Sequence, residues 1–188
     1  MKKSRKSVRD RLLELIKTRS YFTGKFILSS GRQSDYYIDG KLTTLDPEGA
    51  YLVGKLFFEK MREVAPDAGA VGGLTLGADP IVSAISVVSH LESKPLKAFI
   101  VRKESKGHGT GAWIEGAKNL KEGARVVIVE DVATTGSSSM NAVTKAKEAG
   151  YEVLCVIALV DRKEGALENL RKEGIKFFAL YTIDEVRG

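Results

Sequence analysis

The sequence predicts an α/β fold, doubly wound around a mostly parallel five-stranded sheet, with a small N-terminal hood over roughly residues 1–41. Three observations predict it. Helix-like segments near 8–19, 47–64, 79–92, 137–149 and 163–173 interleave with strand-like segments near 69–73, 97–102, 125–130, 152–160 and 176–181. The stretch from Val126 to Val160 reads strand, tight loop, helix, strand, a βαβ unit whose crossover is right-handed and whose strands are parallel. Finally, 188 residues with 43% hydrophobic content suffice for one domain with a sizeable core.

The elements follow in chain order. Val8, Leu12, Leu15 and Ile16 keep helical spacing behind a basic start (Lys2, Lys3, Arg5, Lys6, Arg9, Arg11), and no apolar signal segment follows it. Gly24 to Lys41 contains Tyr36, Tyr37 and Ile38, residues of high strand propensity. Val71 to Pro80, VGGLTLGADP, is a glycine loop before a helix with Asp79 as its N-cap and Pro80 in its first turn. Gly72, Gly73 and Gly77 would let the backbone approach an anion there. Val101 to Gly116 sets Arg102, Lys103, Lys106 and His108 among four glycines. Cations so placed repel one another unless an anion is present, which predicts a mobile loop near 102–116 that closes on a polyanion. A solvated basic loop is the plainer alternative.

Val126 to Ser139, VVIVEDVATTGSSS, is the most informative segment. Val126 to Val129 read as a buried strand, so Glu130 and Asp131 are expected at its carboxyl end, where parallel sheets bind ligands. Thr134, Thr135, Gly136, Ser137, Ser138 and Ser139 then offer hydroxyls and backbone N–H groups at a helix N-terminus, a phosphate cradle. The chain has no GxxxxGK[ST] and no GxGxxG after a strand, which argues against a nucleoside triphosphate or a dinucleotide. Paired carboxylates suit ribose hydroxyls and Mg²⁺, so phosphate beside ribose is the economical ligand. Alternatively, the acids only end a strand and the Thr/Ser run only caps a helix. Downstream, Arg162 closes the next strand with a fork suited to a carboxylate, or else pairs with Asp161 or Glu164 on the surface. Cys155, the lone cysteine, falls inside a buried strand and is expected to be inert.

Glu130 to Ser138, EDVATTGSS, resembles the signature of the type I phosphoribosyltransferases, which bind phosphoribosyl pyrophosphate. The RKxxKxHG pattern of Arg102 to Gly109, the LVDR of Leu159 to Arg162 and the GRxSxYYxD of Gly31 to Asp39 are similar to segments of the orotate phosphoribosyltransferase family, so the resemblance covers the whole chain. The resemblance implies a type I phosphoribosyltransferase fold and transfer of 5-phosphoribose to N1 of orotate, a step of pyrimidine biosynthesis. It assigns Lys106, His108, Arg102 and Lys103 to catalysis. The same four, with Glu130, Asp131, Val132, Ala133, Thr134, Thr135, Gly136, Ser137 and Ser138, bind phosphoribosyl pyrophosphate. Thr134, Arg162, Tyr36 and Tyr37 bind orotate, the two tyrosines from a hood over the pyrimidine. Mg²⁺ is the implied cofactor; no direct protein ligand is assigned, and Asp131 through water is the candidate. A homodimer is implied, with the catalytic loop of each subunit reaching its neighbour's site. The chain departs from the pattern twice: Ser29 and Leu76 stand where other members carry lysines.

Composition sets limits. The longest uncharged apolar run, Val153 to Val160, is far short of a membrane span, and a cytoplasmic protein is expected. A net charge of +6 permits nucleic-acid binding, but cations beside glycines suit a small polyanion better, and no nucleic-acid module is recognisable. Two rival readings are a phosphoribosyltransferase for a purine or uracil, and a phosphoribosyl-pyrophosphate-sensing regulator that binds nucleic acid.

Overall fold

The computed structural model describes residues 7–27, 31, 33–104 and 113–188. Lys106 and His108, with the middle of the expected mobile loop, lie outside the described residues, as do Ser29 and Arg32.

Helix α1 (Val8–Leu15) opens at Ser7, whose hydroxyl accepts a hydrogen bond from the Asp10 N–H at 3.1 Å. A π-helical turn, Ile16–Ser20, leads into strands β1 (Tyr21–Ile27) and β2 (Gln33–Ile38), which form a separate antiparallel hairpin. An isolated hairpin is marginal in water. This one is anchored because Tyr36 and Ile38 are buried in the same core as Leu12 and Leu15. The short α2 (Lys41–Thr44) precedes α3 (Pro47–Val64), which starts at Asp46; its carboxylate accepts from the N–H groups of Glu48 and Gly49.

The central sheet is built from β3 (Ala70–Leu74), β4 (Lys97–Val101), β5 (Ile114–Glu115), β6 (Arg125–Ala133), β7 (Glu152–Asp161) and β8 (Phe177–Thr182), in the order β5-β4-β3-β6-β7-β8. All are parallel except β5, which pairs antiparallel with β4 at the edge. Six strands therefore replace the expected five, because β5 is two residues long and too short to leave a periodic signal. Its pairing of Val101 with Ile114 closes the base of the 102–116 segment.

Helices α4 (Asp79–Leu91), α5 (Ser137–Glu148) and α6 (Ala166–Lys172) connect the parallel strands, and α7 (Ile183–Arg187) ends the chain. Alternation along β6 explains the double winding. Val127 and Val129 face a core shared with Phe57, Met61, Ile81 and Ile85, while Val126 and Ile128 face Ala142, Val143 and Ala146 of α5. Asp79 is the first helical residue of α4 and not its N-cap; its carboxylate accepts from the Thr75 hydroxyl at 2.7 Å. The expected start of a helix at 163 moves to Ala166 because Lys163 and Gly165 take positive φ, which interrupts the helix.

The topology locates the site. From β3 the chain crosses to β4 on one side, whereas β6 leads to β7 and β8 on the other. The carboxyl ends of β3 and β6 thus form the point where the winding reverses, where open parallel sheets leave a crevice.

Candidate active site

A cleft of about 880 Å³ opens at that crevice, between the hairpin and the carboxyl ends of β6 and β7. Glu130, Asp131, Val132, Ala133, Thr134, Thr135, Gly136, Ser137, Ser138 and Arg162 line it, with Tyr37 from the hairpin.

The acid pair does not end its strand as expected. Pairing of β6 with β3 stops at Ile128, but pairing with β7 continues through Glu130 and Val132 to Ala133. Strand geometry therefore still governs the acids, and successive side chains point to opposite faces. Glu130 shares the α5 face, where the Ser139 hydroxyl donates to its Oε2 at 2.8 Å. Asp131 shares the opposite face, enclosed by two glycines. A Cβ built on Gly40 would lie 2.9 Å from the Asp131 Cβ, and one on Gly77 would lie 2.4 Å from its Oδ1. The glycine loop after β3 is thus packed directly against the part of the signature that lies in β6.

Enclosure changes the acids' chemistry. Burial, and then the charge of Asp131, pushes the Glu130 carboxyl up to about 7, against the pull of the Ser139 hydroxyl and the Lys103 charge. Burial also raises the Asp131 carboxyl, opposed by the Val132 N–H and the charge of Lys41. Between about pH 4.5 and about pH 7 the folded chain should therefore retain a proton on Glu130 that the unfolded chain has released. This group's contribution to stability should fall as pH rises from about 4.5 to about 7, by on the order of 3 kcal/mol. Unfolding of ligand-free wild type and Glu130→Gln across that range checks it. The difference between them should slope in that direction, and parallel curves would refute the assignment.

The cradle is open for an anion. Gly136, at φ +81°, is the N-cap of α5, and no side chain caps the helix. The Thr/Ser run therefore does not spend its oxygens on the first-turn N–H groups, and these remain at the positive end of the helix dipole. The Asn169 amide steadies the loop by donating to the Thr135 carbonyl at 3.0 Å. Ser139 is the exception in the run: it is 1% exposed and faces Glu130, not the cleft.

At the other end of the cleft, the Arg162 side chain is 4% exposed. Its Nε donates to Glu164 Oε1 at 2.8 Å and its Nη2 to the Ser34 hydroxyl at 3.2 Å. The pairing with Glu164 that sequence allowed is thus present, but it is partly buried and orients the arginine. Tyr36 does not line the cleft; it lies behind Arg162, with the guanidinium carbon 4.3 Å from its ring centroid and its hydroxyl 3.3 Å from Glu164 Oε1. The Arg187 guanidinium lies over the same ring, also at 4.3 Å. Tyr37 does line the cleft, stacked at 5.6 Å against Phe26.

Arg102 and Lys103 line a neighbouring hollow of about 480 Å³ with Thr75 and Asp79. The Arg102 guanidinium pairs with Glu115 at 2.9 Å, across the two ends of the basic loop. Phe26, Ile27, Ile38 and Lys41 also line the main cleft, and sequence reasoning passed over them. Phe26 and Ile27 looked like ordinary strand residues. Lys41 closed the quoted hood segment but carried no distinguishing pattern.

Comparison with known proteins gives a consistent match. The family model described as phosphoribosyl transferase domain matches residues 70–180. The chain is 53% identical over 180 residues to the orotate phosphoribosyltransferase of Synechocystis sp., covering 96% of this chain and 89% of that protein. It is 51% identical over 181 residues to that of Aquifex aeolicus, covering 95% and 97%. Among solved structures it resembles Mycobacterium tuberculosis H37Rv orotate phosphoribosyltransferase in complex with phosphoribosyl pyrophosphate. The TM-score is 0.79 at 36% identity, over 97% of this chain and 100% of that one.

Proposed function

The chain belongs to the orotate phosphoribosyltransferases of the phosphoribosyl transferase domain family, and we propose that its cleft holds the activated sugar over β6 and α5 and the pyrimidine beneath the hairpin. The enzyme transfers 5-phosphoribose from phosphoribosyl pyrophosphate to N1 of orotate, giving orotidine 5′-phosphate and pyrophosphate in pyrimidine biosynthesis. The observation that carries the site reading is the uncapped N-terminus of α5 beside an acid pair that lines the same cleft.

In this reading the Ala133 to Ser138 loop binds the 5′-phosphate as a remote handle. Glu130 and Asp131 accept hydrogen bonds from the ribose hydroxyls and lie near C1 as it becomes cationic. The C1–oxygen bond to pyrophosphate breaks, and N1 of orotate attacks from the opposite face to form the glycosidic bond. Arg162 holds the orotate carboxylate through its fork. Thr134 contacts the ring, and Tyr37, with Phe26, supplies apolar cover. Arg102, Lys103, Lys106 and His108 stabilise the negative charge on departing pyrophosphate, and closure of their loop excludes water from the activated sugar.

The residues suit Mg²⁺ delivered with its substrate. Among the described residues no three acids or histidines cluster as a metal cage. Mg²⁺ is commonly held by one or two carboxylates together with substrate phosphates. Asp131, enclosed beside Gly77, would hold it through water alongside the diphosphate oxygens, and the ion would neutralise charge there. We also propose a homodimer in which each loop serves the neighbouring subunit, a cytoplasmic location and one domain over residues 1–188. Among the described residues no helix is long and apolar enough to cross a membrane.

Pyrophosphate release tests the acceptor. It should require orotate, with uracil, hypoxanthine and adenine giving background rates; release driven equally by another base would overturn the assignment. A second test concerns the contact between the two loops. Because a methyl group at Gly77 would collide with the Asp131 carboxylate, Gly77→Ala should weaken phosphoribosyl pyrophosphate binding by about tenfold or more. Orotate affinity should be little changed. Calorimetric titration with each substrate separates the two effects.

A further inference from the structure

We propose that Ser139 is a positioning residue for the ribose end of the site, fixing the Glu130 carboxylate relative to the phosphate cradle. The inference rests on the reading of Glu130 as a ribose ligand. Thr134, Thr135, Ser137 and Ser138 line the cleft, the Thr135 hydroxyl donating to that of Ser137 at 3.3 Å, whereas Ser139, from the same run, is 1% exposed and outside the cleft lining. Its hydroxyl donates to Glu130 Oε2 at 2.8 Å, between two side chains that are both buried.

Two physical consequences follow. A buried carboxylate on a flexible side chain is held in one rotamer when one of its oxygens is bonded to a fixed donor, which lowers the ordering cost of binding a ligand to the rest of the group. The donor here is also part of the first turn of α5, the helix whose uncapped N-terminus faces the phosphate. One hydrogen bond thus ties the acid that meets the sugar hydroxyls to the element that meets the 5′-phosphate, and so fixes the spacing between the two subsites. Any ligand spanning both should depend on Ser139. Ligands that occupy neither should not.

Steady-state kinetics in both directions provide the test. Ser139→Ala should raise KM about tenfold or more for phosphoribosyl pyrophosphate and for orotidine 5′-phosphate, because it leaves a buried acceptor without its donor. KM for orotate and for pyrophosphate should stay within about twofold. Ser139→Cys, nearly isosteric and a weak donor, should behave like the alanine variant, and it guards against a cavity artefact or failure to fold. In a Glu130→Ala background, Ser139→Ala should add little, because the group it positions is gone. A uniform rise in all four KM values, unchanged KM for the two ribose-bearing ligands, or an undiminished effect in the Glu130→Ala background would overturn the proposal. If Glu130→Ala itself leaves both ribose-bearing ligands unaffected, the reading of Glu130 fails and this inference fails with it.

Discussion

Lys106→Ala should lower kcat by ~10² or more, with chemistry limiting and both substrates saturating, because it removes a cation aimed at charge that develops only as pyrophosphate leaves. We expect the chain to depend on this lysine more than the family pattern requires. By the family resemblance Ser29 and Leu76 replace lysines that some members carry, and Leu76 is an exposed apolar side chain. Fewer fixed cations then share the leaving group's charge, so the loop must supply more of it. A single-turnover rate equal to wild type would remove Lys106 from catalysis. The same variant tests the shared loop. Mixed with an Arg162 variant, at an orotate concentration too low for that variant to turn over, it should regain activity, to roughly a quarter of wild type if two-subunit assemblies exchange at random. No recovery from mixed, exchanged subunits would place both residues in sites built from one chain.

Arg162→Ala should raise KM for orotate by ~10², while KM for phosphoribosyl pyrophosphate changes little. The expected size reflects burial. An exposed arginine in an ion pair contributes little, but this one is 4% exposed and held by Glu164, Ser34 and the Tyr36 ring. Truncation removes the carboxylate's fork and also disturbs that buried network. Arg162→Lys keeps the charge but loses the planar fork, and should recover only part of the affinity. Equal rises in both KM values would point to collapse of the hood instead of loss of an acceptor contact.

Much of this site was legible along the chain because its chemistry is concentrated in short segments. Val126 to Ser138 declares a strand, two acids and an anion-binding turn in consecutive positions, and each has a local physical signature. The basic loop is as conspicuous in the sequence, but Lys106 and His108 lie outside the described residues. Contacts made across the fold were less legible. Tyr36 and Tyr37 are neighbours in a strand, so pleating sends one to the core behind Arg162 and the other to the cleft, and no local pattern says which. The same uncertainty applied to Glu130 and Asp131, and it was resolved by how far β6 pairs with β7.

Local patterns were enough for the alternation of helices and strands, the parallel sheet and the composition of the loop that opens α5. These depend on hydrophobic period, turn residues and helix-start chemistry, all of which act over a few residues. Only the tertiary structure decided the sixth strand, the burial of Arg162 against Glu164, the contact of Gly77 with Asp131 and the turning of Ser139 from the cradle to Glu130. Each of these depends on strand register or on the approach of loops distant in sequence. Such distances are set by packing the whole chain at once, and no short window of residues encodes them.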